Sequence, residues 1–325
     1  MTQPWPGPSD VDQSTLHLGE ELGSGGQGRV LRVQSQPGIV FKQYKVPGAD
    51  QGALKMLVDL PAQLQQSERD LLHRVTAWPV ARVFNKGQLS GFLMREIPGP
   101  FFGPNSVGSM KLRELQYLVY QRKPMWGEIV PNGEVPARTR IEVASEFTRL
   151  LTLLHARALV VGDVSMANVL WAETSAAAMI FLIDCDGIRR LGSRPVLKQP
   201  DTLDWNDPFQ PASGPDLDTD RYKVALLVGR ALTVSPYLRP GEPLAFVPGI
   251  PDRMAARLTT LWKQAAGPRG TRPDASQWSL ALSNRTEIVL PPLPPIRQVP
   301  SLPLKELDGS GKPRPVIKLP RKLGP

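Results

Sequence analysis

Toward the N-terminus, apolar residues come in short alternating runs. Leu16, Leu18 and Leu22 lead into Gly23-Ser24-Gly25-Gly26-Gln27-Gly28, and Val30, Leu31 and Val33 follow. This predicts a strand, a glycine loop and a returning strand. Pro37-Gly38 marks a turn, and Ile39-Val40-Phe41-Lys42 reads as a strand ending in a lysine. Residues 50–76 have a helical pattern that Pro61 splits in two. A hairpin turn near Asn85-Lys86-Gly87 precedes the apolar run Gly91–Met94. Residues 100–137 are irregular, with Lys111–Gln121 as their one candidate helix. From Arg138 to His155 the period lengthens to that of a helix, with Ile141, Val143, Ala144, Phe147, Leu150, Leu151 and Leu154 near one face. Further helices are predicted at Tyr222–Val228, at Arg253–Ala266 and after Pro273.

The stretch from His155 to Ile188 breaks this amphipathic logic. Leu159–Val161 and Met179–Ile183 read as short buried strands, and each runs directly into acidic residues. The first delivers Asp163, with Asn168 five positions on; the second delivers Asp184 and Asp186 around the only cysteine, Cys185. Carboxylates at the ends of apolar strands are costly to desolvate unless paired, for instance with a cation. Mg²⁺ favours hard oxygen ligands, typically one or two carboxylates plus substrate phosphates. An Asp that orients a hydroxyl, with an Asn and a later Asp to hold Mg²⁺, is what phosphoryl transfer requires. The glycine loop fits the same chemistry, because glycines let backbone N–H groups approach phosphate oxygens.

These motifs, in this order, resemble the protein kinase superfamily. Gly23-x-Gly25-x-x-Gly28-x-Val30 matches the family's phosphate loop, and Lys42 stands at the strand lysine. Gly162-Asp163-(x4)-Asn168 stands for the catalytic loop and Asp184-Cys185-Asp186 for the metal motif. Arg272-Pro273 resembles the family's last conserved segment. The resemblance spans about residues 16–285 and looks closest to divergent bacterial protein kinases. It implies an α+β, bilobal fold: a β-rich N-lobe at 15–97 and a mainly helical C-lobe at 98–285, with ATP and Mg²⁺ between them.

The implied roles follow residue by residue. Gly23, Gly25, Gly28 and Val30 cover the nucleotide, and Lys42 pairs with its phosphates, with Lys45 as the alternative. Met94 flanks the adenine, and backbone groups from Arg95 through Glu96 to Ile97 bind it. Asp163 positions the hydroxyl nucleophile, and Asn168 and Asp184 bind Mg²⁺. Strand alternation would turn Asp186 to the same side as Asp184, as a second metal ligand. Asp220 would either brace the catalytic loop or cap its helix, and Asp207 would pair with Arg272. His155 reads as structural.

Three departures stand out. No acid in 50–76 has a convincing context for pairing with Lys42, and Asp59 and Glu68 are the candidates. Ser165 replaces a lysine that many kinases place two residues after the catalytic Asp, and Gly162 replaces the usual arginine. The lost arginine commonly reads a phosphorylated activation segment, so activity is expected without phosphorylation of Ser193 or Thr202.

Composition bounds the alternatives. The 325 residues suffice for two lobes, and one cysteine excludes an internal disulfide. No 18-residue apolar run occurs, and the N-terminal MTQPWPGPSDVDQ lacks the marks of a signal peptide. A cytoplasmic protein is expected, with no membrane partner. Net charge is +9, but seven Lys or Arg and two acids lie from Arg297 onward. The excess is thus largely on the Pro-rich tail, 286–325, expected to be disordered like residues 1–14. No nucleic-acid partner is expected, since no aromatic interleaving accompanies the charge. A partner for the tail, such as a proline-recognising domain, stays open beside the expected protein substrate. The expected function is Ser/Thr protein kinase. The alternatives are a nucleotide-binding pseudokinase or scaffold, motivated by the missing helix acid and Ser165, and a small-molecule phosphotransferase, which Gly162-Asp163 favours.

Overall fold

The computed structural model describes residues 5, 7–131, 134–198 and 202–283. The Pro-rich tail therefore lies outside the described residues. The N-terminal part is built on a six-stranded sheet flanked by two helices. Its elements are β1 (Asp10–Asp12), β2 (Leu18–Ser24), β3 (Gly28–Val33), β4 (Ile39–Tyr44), α1 (Gln51–Asp59), α2 (Gln66–Val75), β5 (Pro79–Asn85) and β6 (Gln88–Arg95). The strand order is β1-β5-β6-β4-β3-β2. All pairings are antiparallel except β1 with β5.

Alternation along β4 assigns each side chain its face. Phe41 points into a small outer core with Leu31, Val33, Ala81, Val83 and Leu93. Val40, on the opposite face, joins the main core with Phe92, Met94 and the buried stripes of α1 and α2, Leu54, Leu57, Leu72 and Val75. The Trp78 indole donates to the Leu57 carbonyl at 2.8 Å, locking α1 onto the sheet. The β5–β6 hairpin turns at Lys86 and Gly87, both at positive φ, as the Asn-Lys-Gly signal predicts.

Two short strands follow, β7 (Phe102–Pro104) and β8 (Met110–Leu112), then α3 (Gln116–Val119). The candidate helix at Lys111–Gln121 thus shrinks to one turn, because its first residues pair with β7. The remainder is mainly helical: α4 (Ala137–Ala156), β9 (Leu159–Val160), β10 (Val169–Glu173), β11 (Ala178–Leu182), β12 (Arg189–Arg190), α5 (Leu217–Thr233), α6 (Asp252–Ala265) and α7 (Ala275–Leu282). Helix α4 buries Val143, Ala144, Phe147, Leu150, Leu151 and Leu154, the predicted stripe save for half-buried Ile141. Helix α5 is buried along almost its whole length, including Asp220, Lys223 and Arg230.

Disorder was expected up to residue 14, yet Asp10–Asp12 form a strand on β5. The Asp10 carboxylate grips Arg82 through two hydrogen bonds of 2.7 and 2.6 Å, a contact whose partner is 72 residues away and invisible to local composition. The capping alternative for Asp220 also fails. Asp216 caps α5, accepting from the Asp218 and Thr219 N–H groups. Asp274 caps α7, as predicted.

The expected Arg272–Asp207 pair is present and bidentate, at 2.7 and 3.0 Å. Both side chains are essentially inaccessible to water. The Arg272 guanidinium also stacks 4.9 Å from the Tyr222 ring. Removing Arg272 leaves the buried Asp207 with the more exposed Arg269, 3.2 Å away, as its remaining charged partner among the described residues. Arg272→Ala should therefore cost about 3–5 kcal/mol of unfolding free energy, measured in urea. Lys55→Ala, at an exposed pair with Asp59, should stay within about 0.5 kcal/mol.

The α5 cap carries a pH signature. Burial pushes the Asp216 carboxyl up, but the Thr219 N–H and the Arg269 guanidinium outweigh it and hold the carboxyl below its ordinary value of 3.8. A depressed carboxyl stabilises fully above that value, and the contribution fades as pH falls through the lower folded pKa. Thermal melts between about pH 5 and about pH 2.5 should therefore show a steeper acid loss in the native chain than in Asp216→Asn.

Candidate functional site

A cleft of about 1280 Å³ runs between the sheet and the helical part. The β2–β3 glycine loop roofs it, Lys42 and Met94 form its inner wall, and Asp163 and Asp184 line its floor. Gly23, Gly25, Gly28, Val30, Glu96 and Ile97 line it too. Ten of the twelve residues singled out from sequence as binding or catalytic therefore line the cleft. Asn168 and Asp186 lie behind the lining, bonded to Asp163 and to Lys42 respectively.

The glycines are not equivalent. A Cβ on Gly28 would meet the Gln43 carbonyl at 2.6 Å, so β3 reaches β4 there only without a side chain. Cβ atoms on Gly23 and Gly25 would meet nothing within 4 Å, as suits a loop open to a ligand. The Gly25 N–H donates to the Gly28 carbonyl at 2.8 Å and closes the turn. The Lys45 ammonium donates to the Ser24 hydroxyl at the loop tip. Gln27 reaches across to the Lys198 carbonyl at 3.0 Å. Lys45 thus serves the loop, and Lys42 is the lysine in the cleft.

Lys42 is buried, and its ammonium contacts Asp186 at 2.7 Å and Asp184 at 3.1 Å. Burial is the largest influence and opposes its charge, yet the two carboxylates together hold its pKa above the ordinary value. Neither helix acid reaches it. Asp59 pairs with Lys55 at 2.6 Å. Glu68 accepts from the Gln65 N–H at the start of α2 and pairs with Arg157 at 2.6 Å.

The Asp-Cys-Asp segment departs from the strand expected of it. Asp184 has a left-handed backbone (φ 55°), and Cys185–Gly187 make a tight helical turn. Alternation therefore does not govern Asp186. The turn brings both carboxylates onto Lys42 but leaves them in different surroundings. The Asp184 side chain is 51% exposed and faces the cleft, while that of Asp186 is 5% exposed. The second Asp186 oxygen accepts from the Tyr44 hydroxyl at 3.3 Å. Asp184 thus lines the cleft, while Asp186, expected as a second metal ligand, lies behind the lining against Lys42 and Tyr44. The Cys185 thiol is buried and pushed up in pKa by burial, then by Asp186 and Asp184, so it is inert.

The floor is a bonded loop. The Asn168 amide donates to the Asp163 carbonyl and to its Oδ2, both at 2.9 Å. The Thr202 hydroxyl donates to Asp163 Oδ1 at 2.7 Å. Underneath, α5 clamps the loop backbone. Asp220 accepts from the Val161 and Gly162 N–H groups at 2.7 and 2.8 Å, and Lys223 donates to the Gly162 carbonyl at 2.6 Å. His155 Nε2 lies 3.2 Å from Asp220, a structural place. Gly162 turns at φ 77°, and a Cβ there would meet Arg189 at 2.8 Å, so an arginine at this position would be strained. Sequence reasoning missed Lys223 and Tyr44. Lys223 lies three residues after Asp220, one helical turn on, which is the signal that could have found it.

At the strand exit, Met94 is buried and lines the cleft. The Glu96 N–H is spent on the Gly38 carbonyl at 2.8 Å, and its side chain pairs with Arg32 at 2.9 Å. Glu96 therefore lines the cleft without its N–H free for a base. Ser165 is buried, with its hydroxyl unpartnered among the described residues, and supplies no charge to the floor. Among the described residues no cluster of three His, Cys, Asp or Glu is placed to hold a metal, and no helix is long and apolar enough to cross a membrane.

No protein-family model matches the chain, and no curated protein sequence matches it. Among solved structures, the kinase domain of Mycobacterium tuberculosis PknI is similar. Its TM-score is 0.53 at 19% identity, over 85% of this chain and 98% of that one. The chain has a protein-kinase-like fold, with a β-rich N-terminal part and a helical C-terminal part.

The α5 clamp makes a local prediction. Asp220→Ala leaves two buried N–H groups without an acceptor, at about 1–3 kcal/mol each. Hydrogen exchange at Val161 and Gly162 should accelerate by about tenfold or more, while amides in the β5–β6 hairpin stay protected.

Proposed function

We propose that this chain is an ATP- and Mg²⁺-dependent phosphotransferase acting on Ser or Thr hydroxyls of proteins. The observation that carries the reading is the convergence of Lys42, Asp163, Asn168 and Asp184 around one cleft roofed by a glycine loop. The protein-kinase-like fold supports it.

The residues fit the group they would hold. The cleft is large enough for a nucleotide, with Val30, Val40, Ala77 and Met94 as apolar walls for a base. Gly23, Gly25 and Gly28 supply a roof whose backbone can approach phosphates. Lys42 supplies a fixed positive charge. The donors for Mg²⁺ are hard oxygens: the exposed Asp184 carboxylate, and the Asn168 side-chain carbonyl left over once its amide is bound to Asp163. Mg²⁺ would neutralise phosphate charge there.

Asp163 is the group that holds the acceptor. Its Oδ1 already accepts one hydroxyl, that of Thr202, which shows the chemistry available to it. It is anchored from below by Asn168 and, through the loop backbone, by Asp220 and Lys223. A substrate hydroxyl placed on Asp163 would be oriented for attack and could pass its proton to the carboxylate.

Transfer of labelled phosphate from ATP–Mg²⁺ by the purified chain tests this. Asp163→Ala should lower the rate by about 10²–10⁴-fold. A wild type that shifts in melting temperature with ATP but transfers to no protein would favour the scaffold, or a small-molecule acceptor. Thr202 now needs separating from Ser193. Thr202→Ala removes a bond to Asp163 and should cost about tenfold in rate, with Thr202→Ser restoring most of it. Ser193→Ala, at an exposed residue that takes no part in the bonds of Asp163 given above, should leave the rate within about twofold.

A further inference from the structure

Asp184 and Asp186 belong to one motif and meet one lysine, yet they are built into different places. Lys42 and Tyr44 are two residues apart on β4, so both side chains leave the same face. A single carboxylate spans them: Asp186 Oδ1 takes the Lys42 ammonium at 2.7 Å, and Oδ2 takes the Tyr44 hydroxyl at 3.3 Å. The Phe92 ring closes the pocket, 5.7 Å from the ammonium and 5.9 Å from the Tyr44 ring. Asp186 is held in turn by the tight Cys185–Gly187 segment, with Gly187 N–H on the Asp184 carbonyl and Ile188 N–H on the Cys185 carbonyl. Among the described residues, the carboxylates within 4 Å of the Lys42 ammonium are those of Asp184 and Asp186. The helix acids Asp59 and Glu68 are engaged elsewhere.

We infer that Asp186 is the positioning acid of this site. It fixes Lys42 for the nucleotide phosphates, with Tyr44 fixing Asp186, and Asp184 alone of the pair is left to the metal ion. The inference rests on the phosphotransfer reading for what Lys42 is positioned to do. The pair itself stands independently of it. One consequence is regulatory: the acid that places the lysine is carried by the metal motif, so displacing α1 or α2 does not unpair it.

The test is a double-mutant cycle on the full chain with Lys42→Met, Asp186→Asn and the double variant, plus Asp184→Asn. Melts are recorded without ligand, and affinity for a non-hydrolysable ATP analogue is titrated against Mg²⁺. In the ligand-free melts each single variant should lose several degrees, and the double should lose clearly less than the sum. Asp186→Asn should weaken analogue binding by about tenfold, with no further loss when added to Lys42→Met. The Mg²⁺ concentration for half-saturation should stay at the wild-type value in Asp186→Asn and rise in Asp184→Asn. Additive effects, or a raised Mg²⁺ requirement in Asp186→Asn, overturn the inference. If Asp186→Asn does not fold, Tyr44→Phe carries the test. It keeps the ring, removes only the hydroxyl on Asp186, and should weaken analogue binding with Mg²⁺ half-saturation unchanged; wild-type affinity in it overturns the inference. A wild type that binds no analogue sinks the phosphotransfer reading and leaves the ligand-free cycle to judge the pair.

Discussion

The Lys42 ammonium is largely shielded from water, and that constraint joins the two parts of the fold. A charge in such a place must meet opposite charge and hydrogen-bond acceptors, or it unfolds its surroundings or loses its proton. Lys42 comes from β4 of the N-terminal sheet, and its carboxylates lie over 140 residues later, in the turn after β11. Meeting that demand sets the approach of the sheet to the helical part. It also sets the depth of the cleft, because the Lys42 wall meets the Asp184 floor at its inner end. Aliphatic packing alone would tolerate a range of approaches; two charged contacts near 3 Å do not.

The same economy recurs below the cleft. Helix α5 is apolar enough to be buried nearly throughout, yet it carries Asp220 and Lys223 one turn apart. They are the two ends of a clamp on a single stretch of backbone, one accepting its N–H groups and the other donating to the Gly162 carbonyl. A loop held by its peptide groups does not need charged side chains to keep its course, and Gly162 and Ser165 supply none. Asp163 keeps its place because the backbone beneath it is fixed, and because Asn168 and Thr202 bond its two oxygens. Further out, Arg272 and Asp207 do for the segment after Thr202 what α5 does for the loop.

Much of this was legible in the chain. Period and turn chemistry located the glycine hairpin, the β5–β6 hairpin, the break at Pro61, the α4 stripe and the Asp274 cap, because each is decided by neighbours within a few residues. The order of motifs located the cleft residues and the Arg272–Asp207 pair. What failed was decided at long range or by an unusual backbone. Strand β1 depends on Arg82. The Lys111–Gln121 region gave up its helical pattern to pairing with β7. Asp186 was assigned by alternation, which requires a strand, but β11 ends at Leu182 and the left-handed Asp184 opens a tight turn instead. Tyr44 carried no signal of its own, since a tyrosine near a strand end is ordinary until the acid it contacts is known.

The placement of Asp186 changes how the fold divides its labour. A pairing acid on a helix makes the lysine's position depend on where that helix packs, so helix movement and site assembly are one equilibrium. Here α2 has spent its glutamate on Arg157, at the end of α4, and on its own first turn. That ties α2 to the helical part and leaves Lys42 out of the bargain. The lysine instead depends on the turn after β11, which is held by backbone bonds, including the Ala77 N–H on the Leu182 carbonyl at 2.8 Å. That segment is buried in the main core through Leu182, Cys185 and Ile188. Breaking the Lys42 contact by moving this turn means opening the core. The Lys42 contact is therefore assembled together with the core, whereas the glycine loop over the cleft is exposed and tied across it by the Gln27 bond to the Lys198 carbonyl.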